Sequence, residues 1–406
     1  MISVREAQLR ILSNFEPLGT IHIPFDTALG HILTQPIHSG MDLPLFNNSS
    51  VDGFAVRAED VSDIPASLDV VADIPAGNVA NISISKGQAA RIMTGAPIPD
   101  GADAVVMVED TDAHQHPVGS AAPASVKIFK VVQTGEYIRK RGADILANQE
   151  ILPAGSILRP QDIGMLAMLG ISSVPVRRKP RVALISSGDE LIPVDAPLTP
   201  GKIHDSNTYM LAALLQKAGC EVLPQGVAAD RFEAVQKILL RAVETKPDLI
   251  ISSAGVSAGA FDYIKDVVES SGSLNFWKVD MRPGKPLAFG SYCDIPFFGL
   301  PGNPVSSFVS FLVFVQPVLD ILKGLKTSEN PRIKVVLNES FESDGRESYL
   351  RAVVQQENGQ NIARLTGHQG SGNLFSLVEA NALLVIPAGT KSCPPGSEVE
   401  AWMLEN

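Results

Sequence analysis

The sequence predicts a multidomain α/β protein with a three-layer αβα domain, a β-rich insertion, a small linking domain and a C-terminal β-barrel. The length of 406 residues is enough for roughly two to four domains. An apolar content of 45% supplies sizeable cores. Strands alternate with helices over about 179–325, whereas the flanking segments are strand-rich and punctuated by Gly and Pro.

The central segment defines the α/β domain. Strands are predicted at 181–185, 221–228, 248–252, 276–279 and 296–299, and helices at 207–218, 231–244, 263–270 and from residue 305 onward. Gly219 follows the first of these helices, where a glycine commonly ends a helix. Such alternation predicts a parallel, doubly wound sheet with right-handed crossovers.

The segments on either side of the α/β domain are predicted to consist mainly of strands, without regular alternation with helices. Apolar runs at 54–56, 68–71 and 104–108 predict strands of a β-rich insertion, and 161–169 has helical spacing. Further β-type runs at 333–337, 349–354, 383–386 and 399–403 are separated by turn residues. This last set predicts a small C-terminal barrel.

Charge and cysteine content exclude several classes of function. The 33 basic and 44 acidic residues give a net charge of −11, which argues against a broad nucleic-acid surface or binding to an anionic membrane. A small anionic substrate stays possible where cations cluster locally. The three cysteines lie far apart, which excludes a disulfide framework and the usual zinc ribbons.

Two segments bear on location. The charged N-terminus lacks the apolar core of a signal peptide, so a cytoplasmic protein is expected. Residues 305–323 approach the length of a spanning helix but include three serines, Gln316, Pro317 and Asp320. A buried core helix is therefore predicted there, and no membrane span.

Acidic residues follow the ends of several predicted strands. Asp189 and Glu190 come after the first, Asp230 after the second, and Asp262 after the loop at 252–259. Because ligands of open α/β sheets bind beyond the carboxyl ends of the strands, these acids are predicted to meet there. Such oxygen ligands suit Mg²⁺. The alternative is that Asp189 and Asp230 only cap or begin helices.

Two loops and a group of cations could bind an anion. The loop at 252–259 contains Gly255 and Ser257, and 299–307 leads into a helix with Pro304 in its first turn and Asn303 as a possible cap. Three cations, Lys278, Arg282 and Lys285, precede the second loop. Tight structural turns and an ordinary solvated loop are the alternatives.

Six segments occur in an order that resembles a known family. They are 47–55 (NNSSVDGFA), 91–97 (RIMTGAP), 186–191 (SSGDEL), 252–263, 283–286 (PGKP) and 299–304 (GLPGNP). Together they resemble the molybdopterin molybdenumtransferases, the MoeA family, whose eukaryotic relative is the E domain of gephyrin. The resemblance extends over essentially the whole chain.

The resemblance implies a homodimer of four-part subunits, with each chain divided into five segments. They are an N-terminal helix packing on the α/β domain (1–20), a linking domain (21–44 with 146–176), a β-rich insertion (45–145), the α/β molybdopterin-binding catalytic domain, similar to molybdopterin adenylyltransferases (177–326), and the barrel (327–406). The implied reaction is Mg²⁺-dependent insertion of molybdate into adenylylated molybdopterin, which forms Mo-molybdopterin and releases AMP. A molybdopterin adenylyltransferase is the implied donor of the substrate, and neither nucleic acid nor membrane is an expected partner.

The resemblance also assigns residues. Asp52, Thr94, Glu190, Asp230 and Asp262 match catalytic positions, with Asp52 and Thr94 reaching the active site of the other subunit and with Asp262 and Glu190 near Mg²⁺. The substrate-binding positions are Ser187, Gly188, Asp189, Gly255, Ser257, Lys278, Arg282, Lys285, Pro301, Pro304, Asp144, Arg351 and Ser371.

Two other functions stay open. One is adenylyl transfer from ATP to molybdopterin, which the β-rich insertion and the Asp52 and Thr94 motifs disfavour. The other is a scaffold that binds a peptide in its C-terminal region, which is disfavoured because neither an adenylyltransferase-like extension nor a long linker is present.

Overall fold

The computed structural model describes residues 1–78, 81–115, 120–253, 263–325 and 332–404. The chain divides into two compact units. Unit 1 comprises Met1–Thr34, Ile157–Arg159 and Ser173–Asn406, and unit 2 comprises Gln35–Ser156 and Pro160–Ser172.

Eight α-helices occur within the described residues: α1 Val4–Leu12, α2 Pro160–Met168, α3 Ser206–Lys217, α4 Phe232–Glu244, α5 Tyr263–Ser271, α6 Pro304–Ser310, α7 Gln316–Lys323 and α8 Phe375–Glu379. A π-helical segment, Phe311–Val315, joins α6 to α7. Short 3₁₀ turns occupy Phe25–Thr27, Ala58–Val61, Val108–Asp110 and Asp112–Gln115.

The strands of the described residues, in chain order, are β1 Thr20–Pro24, β2 Ile37–His38, β3 Asn48–Ser49, β4 Gly53–Val56, β5 Ala66–Ile74, β6 Gln88–Ile92, β7 Ala104–Met107, β8 Ser125–Ile128, β9 Ile138–Arg139, β10 Glu150–Leu152, β11 Ser173–Arg177, β12 Arg181–Ser187, β13 Leu191–Ile192, β14 Ile203–His204, β15 Glu221–Ala228, β16 Leu249–Ser253, β17 Gly272–Lys278, β18 Met281–Arg282, β19 Pro286–Tyr292, β20 Ile295–Leu300, β21 Arg332–Leu337, β22 Phe341–Glu342, β23 Glu347–Glu357, β24 Gln360–Leu365, β25 Ala382–Ile386, β26 Ser392–Cys393 and β27 Glu398–Met403.

A six-stranded sheet with the order β15-β12-β16-β20-β19-β17 forms the centre of unit 1. Its first four strands are parallel, as predicted, but β19 runs antiparallel to both of its neighbours. The prediction of a wholly parallel sheet was therefore wrong, and β19 was missed. The cause is a two-residue hairpin: Tyr292 pairs with Ile295, while Cys293 and Asp294 have φ of 47° and 63°.

Helices cover both faces of this sheet. Val182 and Leu184 of β12 belong to one core cluster with residues of α1, α3, α6 and α7. Ala183 and Ile185 belong to another cluster with residues of α4 and α5. Because side chains alternate along a strand, the sheet separates two helical layers, and the predicted αβα arrangement is confirmed.

The first helix packs in the core of unit 1. Ser3 caps it by accepting a hydrogen bond from the Glu6 amide, and Val4, Ala7 and Ile11 are buried. These three side chains share the core cluster that contains α6, the π-helical segment and α7. A helix from the beginning of the chain therefore stabilises the same layer as one from residues 304–323.

The long apolar helix is a core helix, as predicted. The most apolar 18-residue window within 304–323 has a mean hydropathy of 1.9, and 72% of this window is buried inside the protein. Among the described residues, this helix alone has the length and composition that could cross a membrane. Its burial against the sheet and α1 accounts for that composition.

The C-terminal region is a closed barrel, as predicted. Strands β23, β24, β21, β27 and β25 pair in that order, and β25 pairs again with β23. Leu350 and Leu384 lie in the barrel core, whereas Tyr349, Leu383 and Trp402 belong to the core cluster of the α/β domain. The barrel therefore packs directly on the helical layer that contains α6.

Unit 2 is built around a five-stranded sheet with the order β7-β4-β6-β5-β8. Phe54 and Val56 of β4 lie in one apolar cluster, and Ala55 lies in another on the opposite face. The predicted linking segments divide between the units: β1 pairs with β11 in unit 1, and β2 pairs with β10 in unit 2.

Candidate functional site

A cavity of about 760 Å³ opens beyond the carboxyl ends of the parallel strands of unit 1. It contains five of the sequence-predicted site residues: Ser187, Gly188, Glu190, Asp230 and Pro304. We call it the acidic cavity, and its lining is Ser187, Gly188, Glu190, Leu191, Ile203, His204, Asp205, Ser206, Asn207, Asp230, Ser253, Gly302, Asn303, Pro304, Gly372 and Leu374. Asp189 lies next to this lining but is not part of it.

The loop after β12 places a carboxylate at the mouth of the acidic cavity. Gly188 has φ of 152°, and a Cβ there would lie 2.7 Å from Glu190 Oε2. The positive φ favours glycine at this position, and a larger residue would also displace the flexible Glu190 carboxylate. The backbone conformation therefore explains the glycine of the Ser-Ser-Gly-Asp-Glu segment.

Asp189 locks together the loops that follow two neighbouring strands. The Asp189 amide donates to Asp230 Oδ2 (3.3 Å), and the Asp230 amide donates to Asp189 Oδ1 (3.2 Å). The Lys202 ammonium group donates to the Asp189 carbonyl. Asp189 thus holds Asp230 at the cavity.

The Asp205 carboxylate, which also lines the acidic cavity, accepts hydrogen bonds from the first turn of α3. Asp205 caps α3: Oδ1 accepts from the Thr208 amide (3.0 Å) and Oδ2 from the Thr208 hydroxyl (2.6 Å). The Thr208 proton is used in that bond, so the Ser186 hydroxyl donates to Thr208 Oγ1 (2.6 Å). This chain of bonds ties the start of α3 to the end of β12.

Asn207 fixes the loop on the other side of the cavity. Its Nδ2 donates to the Gly302 carbonyl (2.6 Å), and its Oδ1 is buried without a partner among the described residues. Sequence reasoning missed Asp205 and Asn207, although an acidic residue just before a helix is a recognisable cap signal. The bond from Asn207 to Gly302 joins residues 95 positions apart and had no such signal.

The loop before α6 differs in one respect from its prediction. Pro304 occupies the first turn, as expected, but the Asn303 side chain makes no capping hydrogen bond. Instead, the Val305 amide donates to the Ser371 carbonyl (3.1 Å). A donor of the first turn is therefore satisfied by the segment before α8. Pro301 is buried behind this loop.

A second cavity of about 300 Å³ contains most of the predicted cations. We call it the basic cavity, and its lining is Met281, Arg282, Pro283, Gly284, Lys285, Pro286, Asn303, Ser306, Arg346, Gln369, Gly370 and Ser371. Arg282, Lys285 and Ser371 are thus brought together, as predicted. Lys278 is exposed at the end of β17 and lies outside the lining.

Sequence reasoning missed Arg346 in this cavity. Its guanidinium group pairs with Asp344, and this pairing lowers the pKa of the Asp344 carboxyl to about 2. Arg346 Nη1 also donates to the Met281 carbonyl (3.2 Å). Only the fold reveals this contribution, because 65 residues separate Arg346 from Met281.

Arg351, a predicted substrate-binding residue, is fully buried and does not line the basic cavity. Its guanidinium group donates to Ser376 Oγ (3.0 Å) and to the carbonyls of His368 (3.3 Å), Gln369 (3.3 Å) and Gly370 (3.0 Å). Burial, and next the positive charge of Arg282, lower the pKa of Arg351 to about 10, so the group stays protonated at neutral pH. Arg351 therefore positions the segment that lines the cavity.

Three predicted residues belong to unit 2. Asp52 Oδ1 accepts hydrogen bonds from the Thr94 amide and from the Thr94 hydroxyl, both at 2.7 Å, although both residues are exposed. Asp144 forms an ion pair with Arg139. The structure thus brings Asp52 and Thr94 together, while Asp144 has a local partner of its own.

The Asp52 motif has a steric requirement. A Cβ on Gly53 would lie 1.9 Å from the Val106 carbonyl oxygen, so only glycine fits next to Asp52 in β4. The two bonds from Thr94, first the amide and then the hydroxyl, hold the pKa of Asp52 below its usual value of 3.8. Asp52 is therefore ionised at neutral pH. Gly255, Ser257 and Asp262 lie outside the described residues.

The chain is similar to known proteins over its whole length. It is 40% identical to a molybdopterin molybdenumtransferase from Nostoc sp. over 92% of this chain and 86% of that protein. It is 38% identical to molybdopterin molybdenumtransferase 2 from Mycobacterium tuberculosis over the full length of both. The chain belongs to the MoeA family. The resemblance seen in the six sequence segments is thus confirmed.

Profiles and structures agree with this membership. The MoeA N-terminal region (domain I and II) matches residues 2–170, the probable molybdopterin binding domain matches 183–321, and the MoeA C-terminal region (domain IV) matches 334–404. A molybdopterin biosynthesis MoeA protein from Pyrococcus horikoshii superposes over the full length of both chains, with a TM-score of 0.83 and 30% identity. This MoeA protein is a transferase of molybdenum cofactor biosynthesis.

We expect Thr94→Val to raise the pKa of Asp52 toward its usual value of 3.8, because one of the two hydrogen bonds to the carboxylate is lost. A carboxyl with a lowered pKa stabilises the fold above its unfolded pKa, and that contribution disappears as the pH falls through the folded pKa. NMR titration of the Asp52 carboxyl carbon measures the shift. Thr94→Ser keeps the hydroxyl and should leave the pKa unchanged, and an unchanged pKa in Thr94→Val would contradict the assignment.

Proposed function

We propose that this MoeA protein inserts molybdenum from molybdate into adenylylated molybdopterin, with loss of AMP and dependence on Mg²⁺. One observation carries the proposal: an acidic and a basic cavity adjoin, since Asn303 lines both and the neighbours Ser371 and Gly372 line one each. A substrate with two phosphates and a second, tetrahedral anion requires both kinds of environment within reach of one another. The names of the relatives support the coarser part of the proposal, the transfer of molybdenum to molybdopterin.

The donor set of the acidic cavity fits Mg²⁺. Glu190 and Asp230 present carboxylates to it, and Mg²⁺ is commonly held by one or two carboxylates together with water and substrate phosphates. Within the described residues, no three or more His, Cys, Asp or Glu side chains are grouped so that they could hold a metal ion, so a cage made only of protein ligands is not found there. When bound, the ion would neutralise charge on the phosphate oxygens. Asp262 remains a proposed third carboxylate.

Each wall then has its own part in the reaction. Arg282 and Lys285 bind molybdate in the basic cavity by charge, and a hydroxyl from Ser371 adds a hydrogen bond. The backbone after β12 and the start of α6 bind the nucleotide phosphates in the acidic cavity. Asp189 and Arg351 keep the two walls in position by their hydrogen bonds to backbone atoms.

Asp52 and Thr94 are proposed to complete the active site of the other subunit in a homodimer. The Asp52 carboxylate is exposed and ionised, and its hydrogen bonds within the described residues all come from Thr94. Such a pair can present a fixed negative charge to a site formed elsewhere. An adenylyltransferase would deliver the adenylylated substrate to that site.

Glu190→Gln should lower molybdate-dependent AMP release by at least about a hundredfold, because it removes a carboxylate charge that helps to hold Mg²⁺ at the substrate phosphates. AMP release from adenylylated molybdopterin is followed together with reconstitution of an apo-molybdoenzyme. Glu233→Gln on the exposed face of α4 is the matched control and should retain full activity. Wild-type turnover in Glu190→Gln would contradict the assignment, and ATP consumption with molybdopterin alone would favour adenylyl transfer instead.

Lys285→Ala should raise the KM for molybdate by about tenfold, which corresponds to about 1.4 kcal/mol, with a smaller effect on binding of the adenylylated substrate. The ammonium group lies on the rim of the basic cavity and interacts chiefly with the smaller anion. Initial rates at varied molybdate measure the change. Lys237→Ala in α4 removes an equally exposed charge outside both cavities. Equal KM values in the two variants would count against a molybdate site in the basic cavity.

Co-expressed Asp52→Asn and Glu190→Gln chains should regain activity that neither variant has alone. Random pairing makes half of the dimers mixed, and each mixed dimer has one intact site, which gives about a quarter of wild-type activity. Assay of the purified mixture measures this recovery. If Asp52 instead acts within its own chain, no intact site can form, and the mixture stays inactive.

A further inference from the structure

A third cavity of about 330 Å³ lies at the opposite end of the α/β sheet from the acidic cavity. We call it the strand-start cavity, because its wall includes Arg178 and Lys179, just before β12, and Gly219, just before β15. The seven residues of β12 span about 23 Å at 3.3 Å per residue, so this cavity is remote from the acidic cavity. The proposed function makes no use of it.

Cations dominate the lining of the strand-start cavity. Five basic side chains and one histidine are found there, and no carboxylate lines it within the described residues. They are Arg177, Arg178, Lys179, Lys217, Lys323 and His31. In a chain with a net charge of −11, such a concentration needs a local explanation.

Neighbouring carboxylates neutralise two of these cations. Arg178 donates to both oxygens of Asp248 (2.8 and 2.7 Å), and Lys323 pairs with Asp320 (3.3 Å). The C-terminal ends of α3 and α7 also meet this region, and their partial negative charge favours a lysine in each last turn. The helix ends explain why lysines occur at positions 217 and 323, but they do not explain Arg177 and Lys179, which precede β12.

Arg177 and Lys179 supply the remaining positive charge. The Arg177 guanidinium group donates to the Leu18 carbonyl through Nη1, while its Nε is buried without a partner among the described residues. It lies against Gly324, where a Cβ would be 3.2 Å from Nε. The Lys179 ammonium group is exposed and forms no hydrogen bond or ion pair with any described residue.

The wall opposite these cations is held in place by backbone hydrogen bonds. The Arg177 amide donates to the Ile32 carbonyl (2.8 Å), and Gly30 and Leu158 are joined by an equally short bond (2.8 Å). His31, between them, has a lowered pKa because it is partly buried and lies near the charge of Lys179. The cavity is therefore preformed and electrically positive.

We propose that the strand-start cavity binds a small phosphate-bearing anion, either inorganic phosphate or a phosphomonoester. The volume is at the lower end of the range for small-molecule sites. A dianion would balance the charge of Arg177 and Lys179, and the planar guanidinium group suits the spacing of phosphate oxygens. This site is separate from the proposed active site and goes beyond the proposed reaction.

Inorganic phosphate is the probe, and the full-length protein carries Lys285→Ala to weaken phosphate binding in the basic cavity. Phosphate is titrated at constant ionic strength, and the His31 ring carbon is followed by NMR with ¹³C-labelled histidine, assigned with His31→Gln. We expect saturable binding that shifts the His31 signal. Adding Lys179→Glu should weaken this binding by about tenfold or more, since an attractive charge becomes repulsive. Lys237→Glu, an equally exposed reversal on α4, should not change it.

The outcomes separate this site from the active site. A phosphate-dependent His31 shift that Lys179→Glu abolishes and Lys237→Glu preserves supports the proposal, even if Glu190→Gln proves fully active. The proposal is overturned if the His31 signal never saturates with phosphate, or if the two charge reversals have equal effects. Because Lys179 is exposed and unbonded, Lys179→Glu should unfold at the wild-type temperature, so loss of binding cannot be ascribed to misfolding.

Discussion

Two hydrogen bonds to the loop before α6 hold the arrangement of the candidate site. Asn207 donates to the Gly302 carbonyl, and the Val305 amide donates to the Ser371 carbonyl. The first connects this loop to α3 of the α/β domain, and the second connects it to the segment before α8. Between these two anchors lies Asn303, which separates the acidic cavity from the basic one while lining both. Loss of either anchor would change both cavities at once.

The strength of these anchors depends on burial behind them. The helical run that begins at Pro304 is packed against α1, the sheet and the barrel, so its first turn cannot shift independently. In the barrel, Arg351 of β23 likewise fixes a wall segment through buried hydrogen bonds. Burying a guanidinium group without a carboxylate is costly unless its donors are satisfied, and here three carbonyls and a hydroxyl satisfy them. The segment that supplies the carbonyls is fixed as a result, and it forms one wall of the basic cavity.

Local patterns predicted most of the fold because local causes produce it. The strand at 221–228 and the helix ending before Gly219 follow from apolar periodicity and a left-handed glycine at φ 80°. Strand β19 escaped prediction because Cys293 and Asp294 form its hairpin without the usual glycine. The resulting antiparallel edge is a consequence of two residues that carry no strong turn signal.

In the candidate site too, residues that lie in local motifs were predicted, and residues defined by distant partners were not. Glu190, Asp230, Arg282 and Lys285 were found from their places in motifs, and the structure puts them in the two cavities. Asn207 and Arg346 were not found, because their partners lie 95 and 65 residues away in the chain. Asp189 and Arg351 were also found from their motifs, and the structure gives both of them hydrogen bonds to backbone atoms. The motifs did not reveal these bonds, because their partners lie 41 and 19 residues away in the chain.

Asp52 poses the opposite problem, since its immediate surroundings explain its geometry but not its purpose. The fold excludes any side chain at Gly53 and directs two donors of Thr94 to one carboxylate oxygen. Such bonds add little stability at an exposed position, because water could satisfy the same groups. What they do achieve is a fixed orientation for the ionised carboxylate at the surface of unit 2. A carboxylate fixed at the surface can interact with a site on a second subunit without first losing side-chain freedom. This is the physical reason to expect an active site shared between subunits.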